Sequence, residues 1–239
     1  MVGFVRKSLA ESKVFMSIDD EKQLAARAAV ELVTDGMVIG LGTGSTAVFA
    51  VQMLGQRVKE GLKIKAVPTS NSTATLAESV GISIVSLDDY PQLDLDIDGA
   101  DEVEPSLCLI KGGGGALLRE KIVAYASKQV VIIVDEKKMV DRLGMFHLPI
   151  EIVPFACGLI QQKIKEMGAV SVLRKKDGSV FLTDESNWIL DCDFGLIDDP
   201  RALAQQLSAV PGIVEHGLFV DIVERVIVGS DGKIKTLRC

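Results

Sequence analysis

Residues 37–58, MVIGLGTGSTAVFAVQMLGQRV, join a short apolar run to a glycine-rich loop and then to a longer apolar segment. The run at 37–41 predicts a β-strand, Gly42-Thr43-Gly44-Ser45 predicts a loop, and residues 46–58 predict a helix. A strand, loop and helix in this order form the repeating unit of sheets with parallel strands.

The same alternation extends in both directions from this segment. Ser17 and Asp20 predict a capping box at the start of an earlier helix. Further strands are predicted at 64–67, 82–85, 93–97, 107–110 and 130–134, with helices at 73–79 and 116–127. Short strands that alternate with helices indicate an α/β fold with a doubly wound sheet.

The pattern changes after Leu148-Pro149, where strands begin to follow one another. Strands are predicted at 150–153, 170–173, 180–183 and 187–192, and helices at 157–167 and from Pro200 through Leu207. Asp177-Gly178 is typical of a hairpin turn. These residues predict a small α+β domain, and a final hairpin of strands 225–228 and 234–237 is expected to return to the first sheet.

Composition and charge exclude several classes of protein. The 239 residues include 26 Lys and Arg against 33 Asp and Glu, a net charge of -7. Because affinity for nucleic acid comes mainly from clustered basic residues, a nucleic-acid partner is not expected. A small anionic ligand remains compatible with this charge, since a few lysines and backbone N–H groups suffice to hold one.

Cysteine and histidine are too sparse for several kinds of site. The four cysteines are isolated, and His147 and His216 are the two histidines. We therefore expect no zinc site and no disulfide framework. With no signal-peptide pattern before Ser17 and no apolar stretch of ~20 residues, a cytoplasmic protein with no membrane partner is expected.

The loop after the first predicted strand has the chemistry of an anion site. Its glycines permit close approach to the backbone, and the following helix begins with unpaired N–H groups beside the hydroxyls of Thr43, Ser45 and Thr46. Gly42 to Ala47 also fits the G-x-G-x-x-A dinucleotide pattern. That pattern requires an acidic residue at the end of the second strand, where residues 67–72 read VPTSNS, so a phosphate is favoured.

A second loop carries carboxylates. Residues 94–99, DLDIDG, begin like a calcium loop, but the twelfth position is Pro105 instead of Glu. As part of a strand, this segment delivers Asp98 and Asp101 to the carboxyl edge of the sheet, where ligands of such folds bind. Asp94 and Asp96 are interpreted as solvated or capping residues.

The third loop is Lys111-Gly112-Gly113-Gly114-Gly115, and Glu120 is predicted in the first two turns of the next helix. Consecutive glycines carry a large entropic cost, which indicates a use for the exposed backbone. Carboxylates, lysine and N–H groups together suit proton transfer beside a carbonyl. Arg119 and Lys121 are interpreted as surface or dimer-interface residues, and both histidines as loop or core residues.

From about Asp19 to the C-terminus, the sequence resembles the type A ribose-5-phosphate isomerases. The motifs that carry the resemblance are residues 42–46 (GTGST), 98–102 (DGADE), 111–117 (KGGGGAL) with 119–121 (REK), and 217–219 (GLF), in the order of the family. The family interconverts ribose 5-phosphate and ribulose 5-phosphate in the pentose phosphate pathway without a metal or organic cofactor. The resemblance therefore implies no cofactor here.

The resemblance also implies roles for individual residues. Glu120 is expected to be the general base, moving a proton between C2 and C1 through an enediolate, with Asp98, Asp101 and Lys111 as further catalytic residues. The substrate-binding residues implied are Thr43, Gly44, Ser45, Thr46, Asp98, Gly99, Ala100, Asp101, Lys111, Gly112, Gly113, Gly114, Lys138 and Lys22. The choice of Lys138 over Lys137 stays open, and Lys22 is proposed for phosphate.

The architecture implied is a Rossmann-like catalytic domain, residues 19–148 plus 220–239, with a small ferredoxin-like α+β domain, residues 149–219, inserted before the last strands. Residues 1–18 are expected to be an N-terminal extension, disordered in part or whole. A homodimer is expected, with a dimer of dimers as the alternative.

Other functions remain as alternatives. An amino-sugar phosphate deaminase, a sugar-lactone phosphate hydrolase or a CoA transferase would share loops of this kind. A phosphosugar-sensing domain would bind without catalysis. The joint presence of residues 98–101 and 111–114 disfavours the enzymes, and the lack of a basic helix-turn-helix segment disfavours the sensor.

Overall fold

The computed structural model describes residues 17–238. In chain order the strands are β1 (Val38–Leu41), β2 (Lys65–Pro68), β3 (Ser83–Ile84), β4 (Leu95–Asp98), β5 (Glu102–Val103), β6 (Leu109–Ile110), β7 (Val130–Asp135), β8 (Leu148–Ile152), β9 (Val170–Leu173), β10 (Lys175–Lys176), β11 (Ser179–Val180), β12 (Trp188–Asp193), β13 (Ile213–His216), β14 (Leu218–Phe219), β15 (Arg225–Ser230) and β16 (Lys233–Arg238). The α-helices are α1 (Ile18–Val30), α2 (Ser45–Lys59), α3 (Asn71–Ser79), α4 (Leu117–Ala126), α5 (Cys157–Glu166) and α6 (Pro200–Ser208).

A seven-stranded sheet in the order β16-β15-β7-β4-β1-β2-β3 forms the centre of the fold. Its neighbouring strands are parallel except for the terminal β15–β16 hairpin. The chain runs outward from β1 through β2 to β3 and then continues from β4 on the other side of β1. The switch point of this doubly wound sheet therefore lies between β1 and β4, where ligands of such folds bind.

Strand β4 presents different chemistry to the two faces of the sheet. Leu95 and Ile97 belong to the apolar cluster that includes α1 and α2. Asp96 and Asp98 point to the opposite face, which α4 covers, and a Cβ at Gly40 would lie 2.4 Å from Asp96 Oδ1 and 2.5 Å from Cγ1 of Val123 on α4. Both faces are thus covered, as is usual for parallel sheets.

The small α+β part contains a four-stranded antiparallel sheet, β13-β8-β12-β9, with α5 and α6 beside it. The predicted turn at Asp177-Gly178 is confirmed, since it joins β10 to β11 with both residues at positive φ. The predicted return of the last hairpin to the first sheet is also confirmed, because β15 pairs with β7.

Three predicted strands are shorter in the structure, and the one predicted at 82–85 is reduced to β3. The strand predicted at 107–110 is reduced to β6, which pairs with β5 and β14 in a separate three-stranded sheet. A tight turn with Leu107 at φ 65° folds β6 back against β5, so it cannot join the parallel sheet. The strand predicted at 180–183 is confined to β11, since Thr183 starts a turn by accepting the N–H of Ser186.

The start of the described chain is a capped helix. Ser17 accepts the N–H of Asp20, and the Asp20 side chain accepts the N–H of Ser17, which confirms the predicted capping box. Of the predicted N-terminal extension, residues 1–16 lie outside the described residues, whereas Ile18 opens α1. Among residues 17–238, none of the helices has the length and apolar character needed to cross a membrane.

Candidate active site

A cavity lies at the carboxyl edge of the central sheet, at the switch point between β1 and β4. Three loops form its walls, one after β1, one after β4 and one after β6. The lining residues are Thr43, Gly44, Ser45, Thr46, Gly99, Ala100, Asp101, Lys111, Gly112, Gly113, Gly114, Glu120 and Lys138. Segments far apart in the sequence meet here because parallel strands end at the same edge.

The loop after β1 is held tightly against the end of β4. A Cβ at Gly42 would lie 2.0 Å from Asp98 Oδ1, and the Thr43 N–H donates to the same oxygen at 3.1 Å. Gly44, with φ 125°, precedes α2, and no side chain caps that helix. The first N–H groups of α2 therefore remain available to an anion at the Ser45 and Thr46 side of the cavity.

A cluster of hydroxyls fixes the side chain of Thr43. Its Oγ1 lies 2.7 Å from Thr69 Oγ1, 2.8 Å from Ser70 Oγ and 3.0 Å from Thr73 Oγ1. These three hydroxyls lie between the end of β2 and the first turn of α3, and they support the first loop from behind, because none of them lines the cavity.

At the base of the cavity, one ammonium group lies between two carboxylates. Lys111 Nζ is 2.9 Å from Asp98 Oδ2 and 3.3 Å from Glu120 Oε2, and it donates a hydrogen bond to Gly99 O at 2.7 Å. The three side chains are 1–3% exposed. The ring of buried Phe219 lies 5.4 Å from the same ammonium. The cluster is therefore almost completely withdrawn from water.

Burial and mutual repulsion shift the proton affinities of this cluster. Burial raises the pKa of Glu120 to about 8 against the opposing attraction of Lys111, and the charge of Asp98 adds to the rise. Burial likewise raises the pKa of Asp98, again opposed by Lys111. For Lys111, burial lowers the pKa, but Asp98 and then Glu120 raise it further, so the amine stays charged. Near neutral pH the cluster holds a charged lysine and a carboxyl poised to gain or lose a proton.

The glycine loop is anchored to Asp101, whose Oδ2 accepts the Gly113 N–H at 2.8 Å. Gly112 and Gly115 have φ of 99° and 85°, which side-chain residues rarely adopt. A Cβ at Gly113 would lie 2.7 Å from Asp101 Oδ1. Glycine at positions 112, 113 and 115 thus permits a tight turn that a residue with a side chain would strain.

Two lysines were predicted for binding, and they differ in position. Lys138, in the turn after β7, lines the cavity, whereas the alternative Lys137 does not. Lys22 on α1 does not line it and lies 3.4 Å from Asp19 Oδ1. The first turn of α1 nevertheless reaches the same edge of the sheet, because Glu21 O packs against Gly229 at the end of β15.

The structure brings together nearly all of the predicted site residues. Glu120 lies in the first turns of α4, as predicted, and faces the cavity. Asp98 is the exception among the acids, since it lies behind Lys111 and does not line the cavity.

The interpretation of Asp96 as solvated or capping is wrong. Asp96 is 1% exposed, and within the described residues neither carboxylate oxygen has a hydrogen-bond partner. Burial raises the pKa of this carboxyl well above its ordinary value. The alternation of apolar and acidic residues in β4 is typical of a strand with one solvated face, but α4 covers that face here.

Lys121 was interpreted as a surface or dimer-interface residue, and the structure places it mostly inside the protein. Its side chain is 14% exposed, and Nζ lies 2.6 Å from both Glu215 Oε1 and His216 O. His216 is 4% exposed, which confirms its interpretation as a core residue. Arg119 pairs with Glu185 at 2.6 Å on the rim between α4 and the small α+β part.

Sequence reasoning missed Arg174, which contacts the glycine loop from outside the cavity. Its Nη1 donates to Gly112 O at 2.9 Å and Gly113 O at 3.2 Å. No motif marks this residue, because its position depends on how the small α+β part packs against the loop.

Comparison with known proteins identifies the family. The model of ribose 5-phosphate isomerase A (phosphoriboisomerase A) matches residues 65–233. The chain belongs to this family. The ribose-5-phosphate isomerase A of Ruegeria sp. strain TM1040 is 52% identical over 227 residues, which cover 91% of this chain and 87% of the relative.

Solved structures of the family have the same fold. The ribose 5-phosphate isomerase A of Methanocaldococcus jannaschii superposes with a TM-score of 0.89 at 43% identity, covering 93% of this chain and 100% of the other. A D-ribose-5-phosphate isomerase in complex with phospho-erythronic acid superposes with a TM-score of 0.91 at 40% identity, covering 94% of this chain and 100% of the other. The predicted family and its α/β fold are thereby confirmed.

Proposed function

We propose that this chain interconverts ribose 5-phosphate and ribulose 5-phosphate at the cavity between β1 and β4, with Glu120 as the general base. The main support for Glu120 as the base is the position of its carboxyl group. This group is buried, lines the cavity and lies 3.3 Å from the Lys111 ammonium. An acid with a pKa of about 8 is suited to accept and return a proton near neutral pH.

The reaction requires one proton to move between neighbouring carbons. Glu120 takes the proton from C2 of the open-chain aldose, and the electrons of that C–H bond form the C1–C2 double bond while the C1 oxygen becomes negative. The proton of the C2 hydroxyl passes to the C1 oxygen. Glu120 then returns its proton to C1 as the C2 carbonyl forms, so that no atom or electron is gained or lost.

The negative charge on the enediolate oxygens needs stabilisation within the cavity. Lys111 supplies a charged ammonium group, and the N–H groups of Gly112 and Gly114, which have no acceptor among residues 17–238, supply dipoles at the same wall. Asp98 holds Lys111 in place at 2.9 Å, and Asp101 is available to a sugar hydroxyl for ring opening. A general base contributes typically ~10²–10⁴-fold, so these groups must supply much of the remaining acceleration.

The phosphate is proposed to bind at the loop after β1 and the start of α2. Thr43, Gly44, Ser45 and Thr46 present hydroxyls and the start of α2, and Lys138 and Lys22 are the proposed cationic partners. A phosphorylated sugar acid, phospho-erythronic acid, is bound by one matched isomerase at 40% identity, which supports a phosphosugar as the ligand class.

The assay that tests this function follows ketopentose formation from ribose 5-phosphate in the presence of EDTA. Ketose formation at an undiminished rate is expected, because the proposed mechanism uses no metal. Absence of ketose would refute the function, and loss of the rate on adding EDTA would refute the metal-free mechanism.

We also propose a homodimer, with a dimer of dimers as the alternative. Val170 and Val172 are 68% and 60% exposed on β9, which is an edge strand of its sheet. Phe155, just before α5, is fully exposed. Exposed apolar side chains on a sheet edge favour pairing with another chain. Light scattering should give twice or four times the chain mass of 25.6 kDa, and the mass of one chain would contradict the proposal.

A further inference from the structure

The glycine loop is held from its outer side by a guanidinium group of the small α+β part. Arg174, which follows β9, donates through Nη1 to the carbonyl oxygens of Gly112 and Gly113 at 2.9 and 3.2 Å. Hydrogen bonds from a charged donor are stronger than those between neutral groups. Arg174 therefore constrains a backbone segment made of glycines, which have more conformational freedom than any other residue.

The guanidinium is itself fixed by a carboxylate on a regular strand. Arg174 Nε donates to Asp191 Oδ2 at 2.9 Å, and Nη2 donates to Asp191 Oδ1. The two side chains are 13% and 26% exposed. Asp191 lies on β12, opposite Val172 of the neighbouring strand β9. A regular sheet therefore holds the carboxylate of the bidentate ion pair in place.

Fixing the carbonyl groups also fixes the N–H groups of the same peptide planes. In a trans peptide the C=O and N–H bonds point in opposite directions, and the described residues contain no cis peptide bond. The Gly112 carbonyl shares its plane with the Gly113 N–H, which donates to Asp101. The Gly113 carbonyl shares its plane with the N–H of Gly114, which lines the cavity and has no acceptor among residues 17–238.

A second side chain from the same part of the molecule supports the loop. A Cβ at Gly115 would lie 2.4 Å from Cζ of Phe181, so the Phe181 ring packs directly against this glycine. The guanidinium carbon of Arg174 lies 5.9 Å from the centre of the same ring. Arg174 and Phe181 thus pack against each other and against both ends of the glycine turn.

We propose that Arg174, held by Asp191, is a positioning residue that aims the Gly114 N–H into the cavity and the Gly113 N–H at Asp101. This inference rests on the proposed isomerase function, in which the Gly114 N–H faces the reacting end of the sugar. It assigns the small α+β part a direct role in the active site: it supplies the support that orients the oxyanion donors.

The first test compares Arg174→Ala with Arg142→Ala. Arg142 forms an ion pair with Asp198 at 2.6 Å but is half exposed and does not contact the glycine loop. Loss of a single oxyanion donor costs ~10²–10³-fold in kcat, so misorientation of one should lower kcat for ribose 5-phosphate by about 10- to 100-fold. Arg142→Ala should stay within about twofold of the unaltered protein.

A split between kcat and binding separates positioning from a general loss of structure. In Arg174→Ala, the affinity for inorganic phosphate should stay within a few-fold, because the hydrogen bonds of Arg174 go to Gly112, Gly113 and Asp191 and not to the proposed phosphate loop at Thr43 to Thr46. Millimolar guanidinium should restore part of kcat to Arg174→Ala and none to Arg142→Ala. An equal loss of kcat and phosphate affinity, or no rescue, would overturn the proposal.

Two conservative variants cover the case in which Arg174→Ala fails to fold. Arg174→Lys keeps the charge but not the planar fork, and Asp191→Asn keeps the arginine without its ionic partner. Both should lower kcat with a smaller effect than Arg174→Ala. Rates equal to that of Arg142→Ala in both variants would overturn the inference.

The unaltered protein distinguishes failure of this inference from failure of the proposed function. If it produces no ketopentose, the isomerase function fails and the substitutions have no rate to lower. If it is active and Arg174→Ala matches Arg142→Ala, only the positioning role is refuted.

Discussion

Glu120 is the residue on which the proposed chemistry depends most directly. Glu120→Gln keeps the shape and burial of the side chain but removes its ability to accept a proton, so kcat should fall by at least ~10²–10⁴-fold. Binding of inorganic phosphate should stay nearly unchanged. Glu78→Gln, on the exposed side of α3, is the matched control. Near-normal turnover of Glu120→Gln would show that Glu120 is not the general base.

The raised pKa of Glu120 predicts a particular pH dependence. The base must be ionised to act, and burial raises its pKa to about 8, so the active fraction of the free protein grows as pH rises toward that value. The logarithm of kcat/KM should climb with a slope near ~1 per pH unit below the pKa and then level off. A pH–rate profile that is flat between about pH 6 and 8 would contradict this.

At the scale of elements, the contact between the ends of β1 and β4 builds the cavity. A Cβ at Gly42 would lie 2.0 Å from Asp98 Oδ1 and 2.5 Å from its Cα, so Gly42→Ala must push the two strand ends apart. We expect a loss of stability of about 1–3 kcal/mol, the usual cost of overpacking, together with loss of activity.

Gly158→Ala is the control for that substitution. Gly158 lies in α5, and a Cβ there would meet nothing within 4 Å. It should stabilise the protein by about 0.5–1 kcal/mol, because alanine is the better helix former. Urea unfolding of both variants measures the two effects, and a stability of Gly42→Ala equal to that of the unaltered protein would show that the strand ends can separate freely.

At the scale of the whole molecule, the buried carboxyl of Asp96 makes stability depend on pH. Burial raises its pKa in the folded state well above 3.8, the ordinary value. The native state then holds a proton that the unfolded chain has released, so the free energy of unfolding falls as pH rises above ~4, by up to about 1.4 kcal/mol per pH unit. Asp96→Asn removes this titrating group, so its free energy of unfolding should fall less steeply as pH rises.

Asp94→Asn provides a control of opposite sign two residues away. The pKa of Asp94 is lowered by hydrogen bonds from Lys128 and the Val38 N–H, so its contribution to stability is present above pH ~4 and is lost in acid. Urea unfolding at pH 5 and pH 8 should therefore show Asp96→Asn gaining, relative to the unaltered protein, at the higher pH, whereas Asp94→Asn should be less stable than the unaltered protein by about the same amount at both pH values. Parallel pH dependence in the unaltered protein and Asp96→Asn would contradict the buried, protonated state of Asp96.

Much of this architecture was predictable from the sequence, because it depends on local sequence patterns. Apolar runs of strand length, the capping box at Ser17 and the turn at Asp177-Gly178 each depend on neighbouring residues alone. The short strands β5, β10, β13 and β14 were not predicted, because they depend on pairing with their partner strands and not on a local pattern.

By itself, the sequence determined the three loops and the acid, base and ammonium groups they carry, since glycine runs and strand ends specify where backbone and carboxylates become available. Tertiary structure alone decided that Asp96 is buried and Lys121 mostly covered, that Lys138 rather than Lys137 lines the cavity, and that Arg174 supports the glycine loop. The physical reason is that burial and long-range hydrogen bonds depend on which elements pack together, and a side chain's neighbours along the chain carry no record of that packing.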